Sequence, residues 1–229
     1  MSTATLTSST HSHPTEASAV TRERLLDAAE TLFAERGFRA ASVRDITQRA
    51  GCNLAAVNYH FGGKLNLYSA VFVRRMGQLR ERRLDSIRRS LEQHSTTSLE
   101  RLLRSFTSAF LEPLVTESAG RTWVRLVAHE MADPQLPPEL FLNEMMAPVQ
   151  QSLADALRMV CPGLDAESAD LCVHSLVAQL VHVVHLHRCA TSGKDPRAQA
   201  RYTPARLIEH VVRFSAASIR ALAGEGGVR

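Results

Sequence analysis

Residues 42–64, SVRDITQRAGCNLAAVNYHFGGK, decide how the whole chain is read. Ser42 can cap a helix over residues 43–50, and Asp45, three positions on, offers the reciprocal carboxylate. Gly51 ends that helix, because the sharp redirection that follows needs a left-handed backbone, which glycine adopts cheaply. Asn53 then stands where it can cap a second short helix, residues 54 to about 60, and Gly62-Gly63 makes the next break. Two helices of eight and about seven residues joined through Ala50-Gly51-Cys52-Asn53 make a helix-turn-helix pattern at about residues 42–61. Ile46, Ala50 and Val57 fall on its inner side, which leaves Leu54, Ala55, Asn58 and Tyr59 on the outer face of the second helix.

That outer face suits the major groove of a duplex, where an Asn amide pairs with adenine and small apolar groups meet thymine methyls. Its polar edges suit phosphates: Ser42 and Arg44 open one helix, Tyr59 and His60 close the next, and Lys64 opens the long helix that follows. The competing reading is a compact three-helix packing unit in which Asn53 only caps and Tyr59 only packs.

Outward from this motif the pattern stays helical. Thr21 can cap a run over residues 22–36 with an apolar stripe of Leu25, Ala28, Ala29, Leu32 and Phe33, stopped by Gly37. Residues 1–20 are rich in Ser and Thr, contain no Lys or Arg and show no periodicity, so a disordered tail is expected there, with a second tail at 224–229. A long helix is expected from Lys64 to about Gln93, then helices near 98–116, 119–132, 139–160, 166–190 and 204–222. No period-two alternation of β-branched residues occurs. The expected fold is therefore all-α, with a three-helix domain over residues 21–67 and a helical bundle over 68–223.

Composition fits that fold and excludes others. Of 229 residues, 45% are hydrophobic and 22% charged, with only 11 Gly and 9 Pro, which argues against a fibrous chain or a turn-dense β-sandwich. The formal charge of +4 tolerates an anionic partner without demanding one. Cys52, Cys161, Cys172 and Cys189 form no CxxC pair, so a disulfide scaffold is not expected. The N-terminus lacks the basic and apolar regions of a secretory signal, and the apolar run over 175–186, broken by Gln179, His182 and His185, is shorter than the ~20 residues of a membrane span. A cytoplasmic protein with no membrane partner is expected. There is no HExxH, GxSxG or P-loop pattern, so enzyme activity is not expected.

The residues carry a family resemblance. RERLLDAAETLFAERGF (22–38) and SVRDITQRAGCNLAAVNYHFGGKLNL (42–67) resemble the DNA-binding domain of the TetR family of bacterial transcriptional regulators. The resemblance implies an all-α homodimer with a ligand-binding C-terminal domain, acting as a repressor that a small-molecule effector releases from a double-stranded operator. Carried over position by position, it implicates Ser42, Arg44, Asn53, Leu54, Ala55, Asn58, Tyr59, His60 and Lys64 in DNA contact. Many members have Tyr where this chain has Asn58, so base preference does not carry over; Leu65 and Asn66 are neutral where many have acids. An activator or dual regulator on the same fold is the alternative.

The rest of the chain is less specific. Glu130, Pro134 and Pro148, followed by a His-containing apolar helix, are similar to the CecR/CerR-type subgroup of the family. The uncharged helix over 171–187 is apolar on every side, so one face is expected in the core and another against a second subunit. Val183 there, with Leu207, Val211 and Val212 on the helix at 204–222, are the interface candidates. Phe106, Phe110, Trp123, Phe141 and Met145 are candidates for an apolar effector pocket. His174, His182, His185 and Cys189 share a helical side but spread over about 22 Å. Only His182 and His185 could share an ion; a metal-responsive regulator is a further alternative, and no metal or other cofactor is expected. The run Arg74, Arg75, Arg80, Arg82, Arg83, Arg88 and Arg89 reads as a solvated face.

Overall fold

A computed structural model describes residues 16–92, 98–193 and 195–225. Among them the order is α1 Glu16–Ala40, α2 Val43–Ala50, α3 Ala56–Phe61, α4 Lys64–Glu92, α5 Leu99–Val115, α6 Ser118–Ala132, α7 Pro138–Phe141, a π-helical turn Leu142–Met146, α8 Ala147–Val160, α9 Ala166–Ser192, α10 Pro196–Arg201 and α11 Pro204–Glu225, with no strand. The chain divides into two compact units, one reaching Ala70 and the other beginning at Val71. Of the tails expected over residues 1–20 and 224–229, residues 1–15 and 226–229 lie outside the described residues, and residues 224–225 are not tail but the end of α11.

In the first unit, α1 starts earlier than its sequence suggests. Residues 16–20 are helical, not tail, because Ala17 and Ala19 are strong helix formers and Glu16 sits favourably in the first turn. Thr21 therefore caps nothing: its hydroxyl donates back to the Ala17 carbonyl at 2.9 Å. The helical path breaks at Gly37, as expected. The stripe Leu25, Ala28, Ala29, Leu32 and Phe33 is buried together with Ile46, Val57, Leu67 and Tyr68. Phe33 meets Tyr68 edge to face at 4.8 Å between ring centroids, a geometry that adds to the area buried.

In the second unit, α11 packs on α5 and α9, α9 also on α5 and α8, and α6 on α5. Arg104 and Glu209 join α5 to α11 at 2.6 Å. The single helix expected over 139–160 is instead α7, the π-helical turn and α8. The physical reason is Pro148, which has no N–H to offer the Glu144 carbonyl four residues back. Arg80 of α4 takes that carbonyl instead, at 2.6 Å, and its guanidinium also reaches the Glu144 carboxylate at 3.3 Å. The unexpected α10 follows Asp195-Pro196, where Asp195 Oδ1 accepts the Arg197 N–H at 2.9 Å and Pro196 takes the first helical position.

By length and composition α9 is long and apolar enough to cross a membrane, the one such helix among the described residues, so its apolar run is longer than expected. Its buried stripe, from Ala169 through Leu176 to Val184, belongs to the core of the unit. All four cysteines are free thiols.

Gly120 sets how closely α6 approaches α5: a Cβ there would lie 1.7 Å from the Pro113 carbonyl oxygen. That contact is with backbone, so it cannot be relieved by a side-chain rotation. Gly120→Ala gains roughly 1 kcal/mol of helix propensity but forces the helices apart, and overpacking of this kind costs ~1–3 kcal/mol or more. The variant should be less stable than the parent in urea or thermal unfolding, although the same exchange at an open helix position would stabilise.

Candidate functional site

The helix-turn-helix is built from two local constraints, at Ser42 and Gly51, and two contacts that reach back to α1. Ser42 Oγ accepts the Asp45 N–H at 3.1 Å, as a capping serine should. The Asp45 carboxylate pairs with Arg36 of α1 at 3.0 Å. Gly51 then turns the chain at φ 61 and ψ 40, its N–H bonded to the Gln48 carbonyl and the next N–H, of Cys52, to Thr47. Arg24 of α1 donates to the Gly51 carbonyl at 3.3 Å and ties the turn to the first helix. No sequence pattern points to Arg24, since the contact joins residues 27 positions apart.

Asn53 does not act as the expected side-chain cap. α3 begins at Ala56 with Ala55 in the cap position, and Asn53 contributes only its carbonyl, to the Ala56 N–H at 3.1 Å. The chain turns once more over residues 53–56, which displaces Asn53 from the helix end. α3 buries Ala56 and Val57 and presents its other side: Leu54 is 60% exposed and Tyr59 80%, with Asn53, Ala55 and Asn58 exposed around them. Tyr59 touches the His60 ring edge to face at 4.9 Å. Ser42 and Arg44 are exposed at the start of α2, while His60 and Lys64 are half-buried. Lys64 Nζ donates to the Arg39 carbonyl at 3.4 Å and lies 4.5 Å from the Phe38 ring centre. Partial burial lowers its pKa from the usual lysine value. The nine candidate residues thus belong to one unit, seven of them exposed.

The second unit holds a cavity of about 360 Å³. Of the expected pocket residues, Phe110, Trp123 and Phe141 line it. Phe106 is fully buried and packs behind, 6.3 Å from the Phe110 ring. The Met145 side chain lies outside those described. Trp123 and Phe141 both stand edge-on to Phe72, at 5.2 and 5.5 Å. Most of the lining is not suggested by the sequence, and Arg83 stands out among it because its run of arginines reads as a solvated face. It is 5% exposed, its guanidinium lies 3.9 Å from the Phe110 ring centre, and burial pushes its pKa down to about 10. Phe72, Met76, Leu79, Arg83 and Ile87 recur on one side of α4 and are all buried, a spacing that marks Arg83 as inward-facing.

Val183, Leu207, Val211 and Val212, the interface candidates, are each buried within the protomer. The apolar side chains that α9 and α11 leave exposed are Leu171, Val181, Phe214 and Leu222. The histidines of α9 are spread along it: His174 bonds the Asp170 carbonyl at 2.8 Å, His185 contacts Cys189 Sγ at 3.4 Å, and His187 bonds the Tyr202 carbonyl at 3.1 Å. Among the described residues no three His, Cys, Asp or Glu side chains come together to hold an ion.

Comparison with known proteins gives the same division. The model for bacterial regulatory proteins of the tetR family matches residues 25–71, and the model for the C-terminal domain of the HTH-type transcriptional dual regulator CecR matches residues 99–219, more than half of the chain. The chain is 34% identical over 99 residues to the transcriptional activator FasR of Mycolicibacterium smegmatis, covering 43% of this chain and 42% of that one. It is 46% identical over 50 residues to the transcriptional repressor KstR2 of Rhodococcus jostii, covering 22% and 24%. The match thus spans less than half the length of either relative. Among solved structures, Salmonella enterica GusR superposes with a TM-score of 0.63 at 20% identity, over 87% of this chain and 95% of that one, a likeness of fold. The helix-turn-helix unit, the all-α architecture and both model matches agree: the chain is a DNA-binding transcriptional regulator, not an enzyme, and belongs to the TetR family.

Proposed function

We propose that the protein is a cytoplasmic, homodimeric repressor that a small molecule, bound in the cavity of the second unit, releases from a palindromic operator. The observation that carries the DNA-binding surface is Tyr59, 80% exposed on a helix whose opposite side is buried. An aromatic ring left in water, beside an exposed Asn58 and Leu54 and touching only the His60 ring among the described aromatic contacts, adds nothing to the core. It suits base edges and phosphates, with Ser42, Arg44, Asn53, Ala55, His60 and Lys64 around it. The cavity, at the small end of the ~300–1,000 Å³ usual for ligand sites, suits a compact effector. α4 carries Lys64 at its first residue and Arg83 at the cavity wall, so a ligand that shifts α4 acts on a helix that the DNA also holds. An activator is the second reading, supported by the names of FasR, an activator, and CecR, a dual regulator. Transcription in vitro from the promoter beside the binding site decides between them: added protein should lower transcript yield, and a rise establishes the activator.

Base reading and phosphate positioning separate by mutation. Asn58→Ala should relax sequence preference, by about 1–3 kcal/mol if its amide makes a bidentate base contact. Lys64→Ala should weaken binding to all sequences alike and lower the salt dependence by about one ion. Because Lys64 also bonds the Arg39 carbonyl, its variant is compared at temperatures where circular dichroism reports full helicity. The reverse pattern would exchange the two roles.

The dimer rests on the exposed apolar residues of α9 and α11. Phe214→Asp, at a position 55% exposed in the protomer, should give a helical monomer by sedimentation. Val212→Asp, at 1%, should unfold the protein, since an unpaired charge in the core is strongly destabilising. A wild-type monomer at micromolar concentration would refute the homodimer.

Linkage makes the repressor mechanism quantitative. A ligand that weakens operator binding must itself bind the operator complex more weakly by the same factor, with a coupling of ~1–3 kcal/mol in the usual allosteric range. Calorimetry on free and operator-bound protein should show that difference, and equal affinities would remove the release mechanism.

A further inference from the structure

Arg83 is a cation enclosed in the second unit with no described residue of opposite charge beside it. No described carboxylate or carbonyl bonds its guanidinium, and Nε is fully buried without a hydrogen-bond partner. An unpaired buried charge is destabilising, because its lost hydration is not replaced. The Phe110 face at 3.9 Å offsets part of that loss through its π electrons. Lowered to about 10, the pKa still leaves the group charged at neutral pH.

The surroundings agree in sign. Arg188 of α9 also lines the cavity, none of the described lining residues is acidic, and apart from His185 the rest is apolar or aromatic, with Trp123 and Phe141 among it. A site of this kind disfavours a cation, lets a neutral ligand accept from the guanidinium without neutralising it, and rewards an anion whose body is apolar. The carboxylate is the group whose two oxygens match the guanidinium fork.

Resting on the reading of this cavity as the effector site, we propose that its ligand is an amphipathic organic acid, with a carboxylate on Arg83 and an apolar body between Phe110, Trp123 and Phe141. Arg83 here is a specificity-determining residue: it selects the head group, and the aromatic walls take the rest.

Trp123 is the only tryptophan of the chain and lines the cavity, so its emission reports occupancy. The full-length protein is titrated with matched probes: decanoate, decanol and decyltrimethylammonium, then naphthoate and naphthamide. At least one acid should alter Trp123 emission and bind about tenfold or more tightly than its neutral counterpart, while the quaternary ammonium binds more weakly still. Arg83→Met should erase the preference for the acid and, unliganded, melt at or above the wild-type temperature, because it removes an unpaired buried charge. A purely structural arginine would give the opposite melting result. Arg83→Lys, which keeps the charge, should retain part of the preference and tests the assignment even if the methionine variant fails to fold. Equal affinity of acid and neutral probes would overturn the carboxylate assignment and leave the cavity a ligand site. No change of Trp123 emission with any probe up to about 1 mM would overturn both readings.

Discussion

A helix of six residues has no stability of its own, since isolated helices below ~12–15 residues are marginal in water. α3 exists because Val57 and Ala56 are driven into the buried surface of the first unit, because Gly51 turns the chain at the right place, and because Gly62 receives the chain at its end. This dependence on outside support organises the first unit. α1 supplies the apolar surface and two arginines: Arg24 holds the Gly51 carbonyl and Arg36 the Asp45 carboxylate, so both ends of α2 are tied to α1. Tyr68 closes the floor against Phe33 and Phe38. What remains of α3 after its anchoring face is used is the surface proposed above to meet DNA.

Much of this was legible in the residues. Ser42, Gly51 and Gly62 announce the turns by backbone chemistry that is local, and local signals survive folding. Ile46, Ala50 and Val57 follow from periodicity alone, and the structure buries all three. The misreadings have physical causes. Thr21 and Asn53 are capping residues by type, but a helix that begins six residues earlier or a turn that runs two residues longer removes each from the helix end. The interruption before α8 depends on Arg80 reaching Glu144 across 64 residues, which no local window contains. Arg83 was hidden by its company: a run of arginines suggests solvent, whereas the spacing of its apolar neighbours on α4 places it inside.

The second unit is organised around charge placed where water is scarce. Arg80 uses its guanidinium to replace the hydrogen bond that Pro148 cannot make, so a break in a helix is sealed by a side chain from another. Arg83, one turn further along α4, has no such partner among the described residues. Neighbouring arginines on one helix thus have opposite standing, one satisfied by the fold and one left with an aromatic ring for company. The difference is positional. Arg80 meets an orphaned carbonyl, and Arg83 meets a cavity.

The division of α3 into a buried side and an exposed side has an evolutionary consequence. Leu54, Ala55, Asn58 and Tyr59 contribute almost nothing to the core, and surface exchanges of this kind usually change stability by no more than about 0.5 kcal/mol. Selection can therefore rewrite these four positions without first finding compensating changes inside the protein. If this face reads the operator as proposed, duplicated copies of such a gene can diverge toward new operators by single steps that each leave a folded molecule. Val57 and Ile46 have no such freedom. Core and proposed vocabulary are held on opposite sides of the α2–α3 segment, and drift on one side need not wait for the other.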